Sequence, residues 1–328
     1  MRGDRPSRLA LVGIAAWAGA AAVAWRDGAA EAWAVRVYPG WTQLLVPLSE
    51  RGAVPWTPLL ALVLLGMAWA SVRGAGGWIH SVTRLAGLAL LVAASFQASW
   101  GLHGAASGPA TRLLDGAPPY QESADLVQLE ERLREVLTAT APSGAFDVAG
   151  AADAVRAELA ALAPGVRLPA RVKHPPRGML AALGTAGVIS PWTLEVHVEP
   201  TLPPWSYQSV HAHELAHLAG HDNEALTEFA GLLAGLRAAH PHARYAAALR
   251  AWASLPAAVR APHPGPARAM QDLNAQREHA AAARRDGMAR ALWWAYDRWL
   301  RLRGQPRGIE GYADGVRMLA RASRAGAW

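Results

Sequence analysis

Three uncharged apolar runs crowd the first hundred residues, at Leu9 to Trp25, Val54 to Val72 and Leu85 to His103. Each approaches the roughly 20 residues that a helix needs to cross about 30 Å of hydrocarbon. Such runs are either buried in a soluble core or given to lipid. Pro55, Pro58 and the many tryptophans suit membrane helices and their interfacial belts, so three transmembrane helices are expected at about 9–25, 54–72 and 85–103. The first run also reads as a signal peptide, because Ala20, Ala22 and Ala24 make small-residue cleavage patterns. Its length and the two runs that follow favour an uncleaved anchor.

Positive charge sets the expected orientation. The tail carries Arg2, Arg5 and Arg8 against Asp4, and Arg73 and Arg84 bracket the connection between the second and third runs with no acid between them. Both segments are therefore expected in the cytoplasm. The stretch from Arg26 to Ala53 balances Arg26, Arg36 and Arg51 against Asp27, Glu31 and Glu50, as suits the other side. Three crossings then place everything after residue 104 outside the cytoplasm, in a multi-pass protein of the cell membrane. A net charge of +7 would suggest nucleic acid in a cytosolic protein. This topology excludes that partner and points instead to the anionic lipid bilayer.

Past the membrane region, residues 105–122 read as a Gly/Pro-containing linker, and residues 123–328 as one domain. Leu126, Leu129, Leu133, Val136 and Leu137 recur at helical spacing, and a second helix is expected from Asp147 to Leu162 before Pro164-Gly165. Thr193 to Val198 alternates as a strand, with Leu194, Val196 and Val198 inward and Thr193, Glu195, His197 and Glu199 outward. Helices are expected again at Glu224–Ala239 and Ala243–Ala253, and one or two over Ala267–Arg303. The last is rich in arginine and tryptophan, including Arg284 and Arg285, and reads first as an apolar stripe with a solvated basic face and second as a membrane-resting surface.

The chemistry concentrates in His213-Glu214-x-x-His217. Residues i and i+4 share one helical face, so His213 and His217 offer two imidazole nitrogens to one ion. Glu214 lies beside them, where it would deprotonate a metal-bound water as in zinc peptidases. With 12 histidines in 328 residues, chance seldom produces the pattern. Gly220 is expected to end this helix and let the chain return toward the metal. No cysteine occurs, so thiolate ligation and disulfides are excluded, and His and carboxylate ligands imply Zn2+. Glu224 is expected as third ligand, with Glu228 and His221 as alternatives or supports. His221 cannot share one ion with His213 along a straight helix. Tyr245 and Arg244 are the first candidates for oxyanion or substrate contacts, and Tyr207 and His211 the next. Glu195 is a further candidate, on a strand edge able to hold an extended peptide.

Several blocks together resemble the bacterial membrane proteins grouped as domain of unknown function 3810. They are Val37-Tyr-Pro39, Val54-Pro-Trp-Thr57, Trp100-Gly-Leu-His103, Val172-Lys-His174, Thr193-Leu-Glu195, His213-Glu-Leu-Ala-His-Leu-Ala-Gly220 and Gly311-Tyr-Ala313. The family usually has Asn where His103 stands. Where it typically reads Glu-Asp-Glu-Ala-Asn-Phe, this chain has Glu224-Ala-Leu-Thr-Glu228-Phe229, so only Glu224 matches in place. The resemblance implies a membrane-anchored zincin of unknown substrate. The resulting expectation is an α+β, mostly helical, zincin-like metallopeptidase domain after three transmembrane helices, hydrolysing peptide bonds of a protein or peptide substrate. A membrane-tethered zinc-binding structural or sensor module without catalysis is the alternative. Glu214 favours the enzyme, because a structural site needs no base.

Overall fold

The computed structural model describes residues 8–24, 28–52, 55–73, 77–115, 120–260, 265–283 and 286–328. Arg2, Asp4, Arg5, Arg26, Asp27, Ala53, Val54, Arg284 and Arg285, which entered the sequence reading, lie outside the described residues. Two compact units form, one from Met1–Ser107 with Ser190–Glu195, the other from Gly108–Ile189 with Val196–Trp328.

The first unit is helical. It comprises α1 (Arg8–Ala24), the short α2 (Ala29–Ala32) running into a π-helical turn at Trp33–Val37, α3 (Tyr38–Glu50), α4 (Trp56–Arg73) and α5 (Trp78–Ser99). Among the described residues two helices, α4 and α5, are long and apolar enough to cross a membrane, rather than the three expected. The first run does form a helix, packed along α5, but its 17 described residues are fewer than the 18 of α4 and the 22 of α5. The third begins before Leu85, because Arg84 continues the helix near its end, where a long stem can carry the charge outward. Two of the quoted blocks meet beyond it. His103 lies edge-on between Tyr38, Trp33 and Trp100, with ring centroids 4.3, 4.6 and 4.9 Å away.

In the second unit, α6 (Glu122–Ala139) buries all five residues of the expected stripe. Asp147 caps α7 (Val148–Leu162), accepting a hydrogen bond from the Gly150 amide at 2.9 Å. The segment expected as a linker already contains a 3-10 helix, Pro109–Leu114, with Ala110 and Leu114 buried in this unit. A small sheet follows from β1 (Val172–Lys173), β2 (Gly187–Ile189) and β3 (Val196–Val198), with α8 (Met179–Ala182) between the first two. Its order is β1-β3-β2, parallel then antiparallel.

The expected six-residue alternating strand is thus a correction. Strand pairing takes only Val196–Val198, at the sheet's centre, with all three residues buried. Leu194 has a φ of 54°, which breaks the extended run. Both acids expected on the solvent face are buried, because each serves a helix N-terminus. Within the first unit, Glu195 accepts hydrogen bonds from the amides of Trp56 and Thr57 at the start of α4, both at 2.8 Å. Glu199 accepts from the amides of Gly178 and Leu180 around α8, at 2.8 and 3.1 Å.

The remaining helices are α9 (Pro204–Leu218), α10 (Glu224–Arg237), α11 (Pro241–Ser254), α12 (Ala257–Arg260), α13 (Ala267–Ala283), α14 (Asp286–Leu302) and α15 (Tyr312–Arg324). The core sits where α9, α10 and α11 pack together with α7, α6 and α15 around Leu215, Phe229, Leu233 and Leu249. That packing fixes the helix carrying both motif histidines.

Candidate metal centre

Pro204 starts α9, where its missing N–H costs nothing, and the helix then carries His213, Glu214 and His217 on adjacent positions. Gly220 ends it with a φ of 103°, a backbone region other residues rarely adopt. Asn223 restarts the chain as a helix by accepting from the amides of Ala225 and Leu226 at 2.9 and 3.2 Å. The break and restart turn the chain back, so Glu224 enters the first turn of α10 facing the histidines.

Glu224 Oε2 lies 3.2 Å from His213 Nε2 and 3.5 Å from His217 Nε2. Ligands about 2 Å from a tetrahedral ion sit roughly 3.3 Å apart, so these separations fit one zinc ion. The outer nitrogens are also occupied. His213 Nδ1 is 3.0 Å from Glu228 Oε2, and His217 Nδ1 is 2.8 Å from the His221 carbonyl and 3.1 Å from the Thr227 hydroxyl. Metal-binding imidazoles characteristically donate their second nitrogen in this way, which fixes the tautomer and aims the other nitrogen at the ion. Glu228 is held in turn by Arg250 Nε at 2.8 Å. Residues and donor types therefore suit zinc.

Charge balance follows the same geometry. Burial opposes a charged His213, but hydrogen bonds and charge from Glu224 and Glu228 carry its pKa up to about 10. Burial likewise opposes a charged Glu228, while Arg250 and then His213 bring it down to about 2. Glu224 is also opposed by burial and falls well below the ordinary range through His217 and His213.

Glu214 differs from the other two acids. Burial raises its pKa, and among the described residues its carboxylate accepts no hydrogen bond. The start of β2 runs close to it: a Cβ on Gly187 would fall 2.6 Å from Glu214 Oε1. Strand β2 pairs on one side with β3 and presents its other edge beside α9. It, rather than the strand at 193–198, is the sheet edge near the cluster.

Several expected residues stand elsewhere. His221 is fully buried with Nδ1 2.9 Å from the Ala216 carbonyl and Nε2 accepting from the Ala110 amide at 3.1 Å. Burial holds its pKa down to about 4, so it is a neutral structural ring with both nitrogens engaged. Tyr245 is buried with its hydroxyl on Asp272 at 2.6 Å, away from the cluster, and its neighbour Arg244 makes no hydrogen bond to the cluster among the described residues. His211 and Tyr207 lie two and six residues before His213 on α9, their rings 6.4 Å apart. Glu195 belongs to the first unit, as the cap described above.

Two tyrosines that the sequence reading left out of the site stand here instead. The Tyr296 hydroxyl donates to Glu224 Oε1, and the Tyr312 ring stacks on His213 with centroids 5.7 Å apart and planes at 15°. Burial and then Glu224 keep both hydroxyls protonated far above the ordinary tyrosine value. Tyr312 sits inside the quoted Gly311-Tyr-Ala313 block, which was a signal; Tyr296 read only as part of an apolar stripe. Next to the cluster along α9 lies a cavity of about 270 Å³. Leu202, Trp205, Val210, Ala246 and Leu249 line it, and Arg250, Gln276 and His279 add polar groups.

The sequence profile of the family described as Protein of unknown function (DUF3810) matches residues 52–320. The chain belongs to that family. The DUF3810 match takes in α4, α5 and every element that builds the cluster, from α9 to Tyr312. No curated protein and no solved structure matches the chain. The DUF3810 description names no reaction.

Proposed function

We propose that this DUF3810 member is a membrane-anchored, zinc-dependent peptidase. The observation that carries the reading is the convergence of His213 Nε2, His217 Nε2 and Glu224 Oε2 within 4.8 Å of one another, beside the buried, unbonded carboxylate of Glu214. Bound there, zinc supplies Lewis acidity that acidifies water and polarises a carbonyl.

The chain's own residues do the rest. The outer edge of β2 pairs with an extended peptide main chain. Glu214 takes a proton from the attacking water as its oxygen bonds to the scissile carbon, and passes that proton to the departing amine as the C–N bond breaks. Tyr312 and Tyr296 hold protonated hydroxyls beside Glu224, and either can turn its one proton from that carboxylate to the developing oxyanion. Glu228 and Arg250 keep the His213 ring aimed. The neighbouring cavity, mostly apolar in its lining, seats a bulky apolar side chain of the substrate.

Anchoring rests on α4 and α5. Arg73 ends α4 and Arg84 lies early in α5 with no acid between, so the positive-inside bias puts their connection in the cytoplasm and the residues after α5 outside it. This orientation holds whether or not α1 also crosses. The test is zinc content of the purified full chain together with cleavage of a broad peptide library. Stoichiometric zinc with cleavage that Glu214→Gln removes is expected; cleavage retained by that variant with zinc bound would overturn the mechanism.

A further inference from the structure

Two amphipathic helices close the chain, and only one hides its apolar face. In α15, Val316, Leu319 and Ala320 are buried against α10 and α6. In α14 the inner side is used in the same way: Leu300 is fully buried, Trp293 Nε1 donates to the Gly184 carbonyl at 2.6 Å, and Tyr296 reaches Glu224. The outer side is not. Leu292, Ala295, Trp299 and Leu302 fall in one row at helical spacing, all exposed, with Leu302 at 86% and the adjacent Trp294 at 69%. An isolated exposed leucine means little, but a contiguous row rimmed by charge marks an interaction surface.

The rim is basic. Arg298 is exposed within the row, and Arg290 is exposed along one flank. Asp297 is the single acid from Gly287 to Leu302, and it turns the other way, bonded to Arg301 and to the Ile309 amide. A helix with tryptophan and leucine on one face and arginine at its edge is the form that lies in a lipid interface, its rings at headgroup level and its cations among anionic headgroups. The second unit begins at Gly108, only a few residues after α5 ends at Ser99, so the chain itself tethers it to a bilayer that α5 crosses.

We infer that the outer face of α14 docks on an anionic lipid surface. The inference rests on the anchoring proposed above and is independent of the chemistry at the cluster. Its consequence is that the docked face and the metal centre share one helix, since the inner side of α14 carries Tyr296.

The chain contains no cysteine, so single cysteines label it uniquely. The full chain is placed in nanodiscs of phosphatidylcholine with or without added phosphatidylglycerol, and an environment-sensitive fluorophore is attached to Ala295→Cys. Leu65→Cys, lipid-facing on α4, and Ala275→Cys, exposed on α13, serve as controls. The label at 295 is expected to shift to the blue and to be quenched by lipid-borne doxyl groups when phosphatidylglycerol is present, less so in high salt, while the label at 275 is quenched by aqueous iodide instead. Arg298→Gln should lower the preference for anionic over neutral discs roughly fivefold. Iodide quenching at 295 equal to that at 275 overturns the inference, and shielding from both quenchers assigns the face to a second protein copy and also overturns it. Lipid quenching at 295 without any at 65 would leave the docking standing and reject the anchoring.

Discussion

Glu228 Oε2 lies 3.0 Å from His213 Nδ1, on the side of the ring away from Glu224, while its other oxygen accepts from Arg250 at 2.8 Å. The two acids of α10 thus divide their work on one imidazole. Glu224 shares the point at which both Nε2 atoms aim, and Glu228 fixes the ring that aims there. Glu224→Ala should therefore lose zinc, whereas Glu228→Ala should keep the site and weaken zinc roughly 10- to 100-fold, the usual effect of removing an orienting partner. Chelator competition on both variants checks this, and the reverse order of affinities would exchange the two roles.

Glu214→Gln keeps the side chain's shape and removes its basicity. Zinc content and thermal stability should hold, while peptide cleavage falls by about 10² to 10⁴, the range general base catalysis contributes. Because Glu214 accepts no hydrogen bond among the described residues, the amide leaves no acceptor network broken.

Tyr312→Phe and Tyr296→Phe probe the oxyanion donors proposed above. Each hydroxyl stays protonated at working pH, since burial and Glu224 hold its pKa far up. Loss of one donor is expected to lower kcat by about 10² with KM little changed. A change confined to KM would make the tyrosine a binding wall and not a donor.

Much of this centre was legible in the sequence because its spacing is local. His213, Glu214 and His217 lie within one turn and a half of helix, Gly220 needs its left-handed backbone, and Asn223 is an N-cap by residue type. What was not legible depended on distance in the chain. Tyr296 comes to Glu224 from α14 and Tyr312 from α15, and neither position carries a spacing rule linking it to α9. The alternation of Thr193 to Val198 misled for a physical reason: Glu195 and Glu199 are polar because they cap α4 and α8, not because they face water. Helix periodicity in α6 held because its five apolar residues all pack on one core. The apolar runs were legible as helices, and among the described residues α4 and α5 reach the length and hydropathy of a crossing.

The cap at Glu195 makes a structural prediction. It satisfies two amides at the start of α4 from far along the chain. Glu195→Ala leaves both without that acceptor and should destabilise the first unit by about 1–2 kcal/mol. Glu195→Gln, which keeps an oxygen acceptor, should lose less. Thermal unfolding of the full chain in detergent reads the difference, and equal losses would show that the acceptor is not what matters.

The proposed zinc ion and pH act on the same histidine. In the metal-free protein His213 has a pKa near 10, above the ordinary 6.5, so its stabilising contribution is fully present below about pH 6.5 and is lost as pH rises through 10. Glu228 has the opposite sign: lowered to about 2 from 4.5, it contributes above pH 4.5 and loses that contribution as pH falls through 2. Metal-free protein should therefore lose thermal stability steadily on the alkaline side. Zinc requires a neutral ring, so it must displace the proton, and its affinity should rise with pH by up to about tenfold per unit until His213 is itself deprotonated. Calorimetry in buffers of different ionisation enthalpy counts the proton released at neutral pH. Zinc binding without proton release, or an alkaline loss of stability unchanged in His213→Gln, would remove His213 from its place as the protonated partner of Glu224 and Glu228.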